Sequence, residues 1–190
     1  MWALVENNQV SKVYTRPKAI TIGDNQYPSN IMSVWSAEDL EAIGIYEVVV
    51  DNDNFKNPSY YINTNQSFDF ANDVVTASYG AATAKAIDDV TDEDDNVTRG
   101  LKWNHKQVIN AQAGGILEPT DWMVIRAQEG GTAVPSDITT HRAAVRTKAN
   151  EMCVAIDDAA DVDALAALYE YNDAEPPVRP LGEFPTPPSA

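Results

Sequence analysis

The chain has 190 residues, 44% of them hydrophobic, and 29 acidic against 13 basic side chains give it a formal net charge of -16. That length suits one ordinary domain or two small ones. A charge this negative repels phosphate backbones and anionic lipid surfaces, so neither nucleic acid nor a membrane is an expected partner.

Cys153 is the only cysteine, which excludes an intrachain disulfide and gives no sign of an oxidising compartment. No apolar run approaches the ~20 residues that span a bilayer. Met1 is followed at once by Trp2 and then Glu6, without the basic segment and apolar core of a secretory signal. The expectation is a protein made in a cytoplasm that stays soluble there until it assembles with something.

From Trp2 to Tyr14, two apolar runs flank an Asn7-Asn8 pair, which predicts a β-hairpin. Ile20 to Ile22 and the segment around Tyr27 predict a second short pair, turned at Gly23-Asp24-Asn25. Ser36 is placed to cap a short helix, with Asp39 three residues on in the position where a capping box usually has Glu or Gln. Gly44 stops that helix. Ile45 to Val50 (IYEVVV) has the richest β-branched content of the chain and reads as a strand. Asp51 to Gln66 is polar and turn-rich, a loop with a short strand at Tyr60-Tyr61-Ile62. Ser67 to Tyr79 alternates as strand, turn, strand. Ala81 to Asp88 is alanine-rich and reads as strand in preference to helix. Thr91 to Asn96 is an acidic turn.

Gly100 to Leu117 reads as a helix with Leu101, Val108, Ile109 and Ile116 apolar. Two further helices follow between Glu118 and Ala159. Thr120 would cap the first, and Gly130-Gly131 would end it. Pro135, Ser136 and Asp137 would open the second, along which Ile138, Val145, Met152 and Ala159 recur every seven residues beside Ala149 and Ile156. Asp161 or Asp163 starts a last short helix, packed through Leu165, Leu168 and Tyr169. From Asn172 the composition changes. Six of the 11 prolines lie between Pro176 and Pro188, so the tail is expected outside any core, loose or laid as a strap along a partner. The fold class is therefore α+β: a β-rich region over residues 1–99 (itself divisible at about residue 55), a bundle of about three helices over 100–171, and an extended Pro-rich tail over 172–190.

Little in the sequence points to catalysis. Cys153 and His141 are twelve residues apart on one predicted helix, about 18 Å at ~1.5 Å per residue, too far for a nucleophile and its base. His105 would reach Cys153 only through tertiary packing. Two histidines and one cysteine are too few for a closed zinc site at known spacings. Asp51 and Asp53 alternate as in a calcium loop, and Asp92 to Asp95 is acidic. After Asp51, however, the glycine and closing glutamate of an EF-hand are missing. The Gly-Gly pairs lack the flanking residues of a phosphate loop. No catalytic, cofactor or metal site is assigned. Trp2, Trp35, Trp103 and Trp122 are spread along the chain and read as core or interface anchors. Arg126, Arg142 and Arg146 would form a basic strip on the helical pair, paired internally or facing a partner subunit.

Two stretches resemble a known family. Ala3 to Val10, the Tyr27-Pro28 turn and Trp35 to Ile45 resemble the hairpin and W-S-x-x-E/D-L-x-x-x-G-I pattern of small tailed-phage proteins encoded near tail or tail-fibre genes. Asn8 stands where glycine is common. Leu117 to Trp122, Gly131 to Pro135, and Arg142 to Arg146 are similar to the L-x-P-T-D-W, G-x-x-x-P and R-x-x-x-R pieces of tail-fibre-assembly-like proteins. The resemblance covers about half of the chain and leaves out residues 51–99. It implies a non-enzymatic virion component of a phage tail, present in several copies in a symmetric assembly and binding tail or tail-fibre subunits. The alternatives are an assembly chaperone not retained in the particle, and a glycan-binding or hydrolytic protein acting on the host surface. Partner-binding candidates are Trp122, Arg126, Arg142 and Arg146, with Pro176, Pro177 and Phe184 in the tail.

Overall fold

The computed structural model describes residues 1–188. Ser189 and Ala190, the end of the expected extended tail, lie outside the described residues. The architecture is α+β, and the chain divides into two compact units, Met1–Thr83 and the remainder from Ala84.

The first unit is β-rich. β1 (Trp2–Glu6) and β2 (Gln9–Tyr14) form the expected hairpin. Asn7 and Asn8 both adopt positive φ (50° and 62°), as a two-residue turn matching strand twist demands. β3 (Ile20–Ile22) and β4 (Asn25–Tyr27) form a second small hairpin. α1 (Ile31–Val34) precedes α2 (Ala37–Glu41). Ser36 caps α2 by accepting the Asp39 N–H, and its hydroxyl donates to the Asp39 carboxylate at 2.7 Å. The shorter acid thus bonds the cap side chain, where a capping-box Glu would reach the cap backbone.

Gly44 then turns the chain at φ +81°. A Cβ there would lie 2.9 Å from the Val5 carbonyl, while the Gly44 carbonyl accepts the Val5 N–H at 2.8 Å. β5 (Ile45–Asp51) follows directly. After a loop come β6 (Tyr61–Ile62), β7 (Gln66–Ala71), β8 (Val74–Tyr79) and β9 (Thr83–Ala84), the last being all the strand that the alanine-rich stretch supplies.

The main sheet runs β2-β1-β5-β8-β7, with β5 and β8 parallel and the other pairs antiparallel. It curls into a half-barrel, bringing edge strands β2 and β7 near each other. Strand alternation gives it two apolar faces. On one face Leu4, Tyr14 and Ile45 pack with Ile20, Ile31, Met32 and Leu40 of the small hairpin and helices. On the other, Ala3, Val48, Val75 and Ala77 meet Tyr46, Phe68 and Phe70.

In the second unit, β10 (Val90–Thr91) and β11 (Val97–Thr98) form a hairpin around the acidic turn. α3 (Leu101–Leu117) follows, then one 3₁₀ turn (Glu118–Thr120), α4 (Asp121–Gln128), α5 (Ser136–Asp157) and α6 (Val162–Ala167). The described residues thus hold four α-helices here, one for each helical stretch read from the sequence, the short α6 being additional to the bundle of about three. α3 is capped at Gly100, whose N–H donates to Asp89 at 2.8 Å. That bond and Arg99 hold the Asp89 carboxyl below its usual range.

α3 and α5 are antiparallel neighbours. Lys106, early in α3, bonds Asp157 at the end of α5 at 2.6 Å, and Arg142, early in α5, reaches the end of α3. The heptad stripe is buried as read at Val145, Ala149, Met152, Ile156 and Ala159, while Ile138 is only half-buried. On α3, Leu101, Ile109 and Ala113 face inward, whereas Val108, expected on the apolar side, is 53% exposed. Asp161 caps α6 by accepting the Ala164 N–H.

The tail corrects the sequence reading. It does not stand outside the core, because Leu181 is 2% exposed and its N–H donates to the Leu168 carbonyl. Glu183 accepts from Tyr171 at 2.6 Å and from Arg179 at 2.7 Å. Beyond Leu181 the chain runs back along α5. Pro185 shares one cleft with Lys148 and Glu151, and shares another, together with Pro188, with Ser136 and Thr140. Proline density removes ladder donors but does not prevent burial of a leucine among prolines.

Candidate partner-binding site

Trp122 and Arg126 lie one turn apart on α4 and are brought together. The Arg126 guanidinium carbon sits 4.8 Å from the Trp122 ring centroid, within cation–π range. Gly131 fixes this arrangement, since a Cβ there would lie 2.8 Å from Arg126 Cγ and 2.9 Å from the Arg126 carbonyl oxygen. The arginine stem therefore packs on bare backbone. The Gly131 N–H donates to that same carbonyl at 2.9 Å. Arg126 Nε is buried without a hydrogen-bond partner, and the guanidinium meets no carboxylate among the described residues. α4 buries none of its residues, and Trp122 and Ile125 are 53% and 58% exposed. The result is an aromatic and aliphatic face with one cation held over it.

Arg142 and Arg146 do not join that face as a strip. Arg142 is buried at 6% exposure. It donates to the Leu117 carbonyl at 2.7 Å, to the Thr120 hydroxyl, and to Asp121 at 2.6 Å. It is the clasp between α5 and the α3–α4 junction. Arg146, one turn later, is exposed. Thr120 is no cap either: its side chain makes no capping bond, and its hydroxyl donates back to Leu117. A 3₁₀ turn runs straight into α4, and the hydroxyl is engaged by the Leu117 carbonyl and the Arg142 guanidinium. In the tail, Pro176 and Pro177 are exposed and Phe184 is half-buried.

The chemistry elsewhere is quiet. His105 Nδ1 lies 2.7 Å from the Tyr169 hydroxyl, and burial lowers its pKa. Burial likewise raises the pKa of the Cys153 thiol, disfavouring the thiolate that nucleophilic work requires. Asp92 accepts the N–H groups of Asp94 and Asn96, and Asp51 that of Asp53, so these carboxylates order their own turns. Among the described residues no group of three or more His, Cys, Asp or Glu side chains could share a metal ion, and no helix is long and apolar enough to cross a membrane.

Comparison of the chain with protein-family models, with curated proteins and with solved structures gave no match.

Sequence reading missed one grouping. Trp2 and Trp35, read as scattered anchors, line the same cleft. The period-two pairing of β1 with β5 carried half of that signal; the position of Trp35 depended on how α1 and α2 fold over the sheet.

Proposed function

We propose that the protein is a non-enzymatic structural component of a bacteriophage tail, resident in the virion in several copies, which binds tail or tail-fibre subunits through the α4 face. The observation that carries this reading is the Trp122–Ile125–Arg126 surface: exposed apolar area around an arginine that meets no carboxylate among the described residues, on a chain with an excess of acids. Trp and Arg supply most of the energy at protein interfaces, and a preset guanidinium loses little entropy on pairing. The resemblance of Leu117 to Trp122 and Gly131 to Pro135 to tail-fibre-assembly-like proteins supplies the biological setting.

Quantitative peptide mass spectrometry on purified particles tests residence. A signal in fixed ratio to the fibre protein is expected. A signal in infected lysate but not in particles would replace the virion role with that of an assembly chaperone. Trp122→Ala tests the surface: stability should fall by about 1 kcal/mol, the scale of the exposed cation–π contact it removes, while co-assembly falls at least about tenfold. Undiminished co-assembly would remove α4 from the interface.

A further inference from the structure

The N-terminal unit holds a second site of different chemistry. A cleft of about 200 Å³ opens between the β1–β5 strands and the α1–α2 segment. Its floor is apolar: Met32, Leu40 and Ile45 are all buried. Trp2 and Trp35 line it, together with Glu47. Trp2 and Glu47 are direct cross-strand partners, so their side chains stand on the same face of the sheet. The Trp35 ring is steadied by an edge-on contact with Tyr27 at 5.9 Å between centroids, and remains 40% exposed. Glu47 is exposed and has no basic partner among the described residues.

We infer that this cleft receives an arginine side chain presented by a partner protein. An indole face attracts a cation, and the planar guanidinium stacks on it while donating to a carboxylate. Both groups are present, with an apolar floor for the aliphatic stem. The volume is below the ~300 Å³ at which small-molecule pockets begin, and suits one side chain better than a sugar chain. The charge of -16 draws cationic segments toward the chain. That the partner is a tail or fibre subunit rests on the function proposed above; the chemistry of the cleft does not.

The test uses the purified full chain, so it reads out whatever the chain's place in a particle. The four tryptophans give four indole N–H signals in a nitrogen–proton correlation spectrum, assigned by single Trp→Phe variants. Titration with N-acetyl-arginine-amide should move the Trp2 and Trp35 signals and leave those of Trp103 and Trp122 unmoved. Glu47→Gln, at an exposed position, should weaken the response about threefold, and Trp35→Ala about tenfold, with the circular dichroism of the wild-type fold retained. Methyl glucoside is the contrasting probe. Movement with the glucoside and not with arginine would overturn the proposal in favour of a carbohydrate cleft. No movement with arginine, or equal movement of all four signals, would overturn it outright, as would an undiminished response in Glu47→Gln.

Discussion

Arg142 offers the sharpest test of how the helical unit is held together. Truncation to alanine removes three donated hydrogen bonds and the side-chain stem between α3 and α5. The consequences differ by acceptor. The Leu117 carbonyl keeps the Thr120 hydroxyl as a donor, and Asp121, whose side chain is 54% exposed, returns to water. No acceptor is orphaned, so the loss stays below the ~3–5 kcal/mol of a broken buried ion pair. What remains is about one charge-assisted bond, ~1.5–3 kcal/mol, plus stem packing, partly offset by relief of the buried guanidinium's desolvation. We expect a loss of about 2 kcal/mol. At ~4–8 °C per kcal/mol for a small domain, the helical melting transition should fall by about 10 °C. Urea titration and thermal melting followed by the helical far-UV signal measure this. Arg142→Lys should recover part of the loss, because one ammonium cannot span all three acceptors. Arg146→Ala, one turn away and exposed, should stay within about 0.5 kcal/mol. A loss below about 0.5 kcal/mol for Arg142→Ala, or equal losses at both arginines, would refute the clasp.

Leu181→Ala should destabilise the helical unit by ~2–5 kcal/mol, as core truncations do, and ending the chain at Asn172 should cost at least as much. A truncated chain that melts like the full one would show that the tail contributes nothing to the core. Gly44→Ala should cost ~1–3 kcal/mol, because alanine is disfavoured at φ +81° and its Cβ would crowd the Val5 carbonyl; an unchanged denaturation midpoint would contradict that geometry. Stability should also fall with acid in two windows. Burial holds His105 below its ordinary value of 6.5, so the unfolded chain takes up the proton first. Its contribution is complete above that value and declines as pH drops from there toward the folded pKa. Asp89, held below the ordinary carboxylate value of 3.8 by Gly100 and Arg99, contributes above that pH, and this is lost as pH falls through its folded pKa. His105→Gln and Asp89→Asn should each flatten its own window in urea titrations across pH; unchanged profiles would exclude these groups as the cause.

Local signals determined much of this protein. The Asn7-Asn8 turn, the Ser36 cap, the strand at Ile45, the start of α3 at Gly100 and the stripe along α5 depend on residues adjacent in sequence, and each was legible there. The pairing of Trp122 with Arg126 has helical spacing, so it too was within reach. What only the tertiary structure decided are contacts between distant segments. Arg142 and Arg146 share a helix and a residue type, but only Arg142 points at the α3–α4 junction, and this turns one of them from surface charge into a clasp. Leu181 lies in a proline-rich tail whose composition describes backbone bonding and says nothing of where a leucine is buried. Glu47 and Trp2 share a cleft because β5 lies beside β1, with partners 45 residues apart in sequence, and Trp35 joins them because α1 and α2 fold over that face of the sheet. Periodicity fixes which face a side chain takes on its own element; only packing fixes what that face meets.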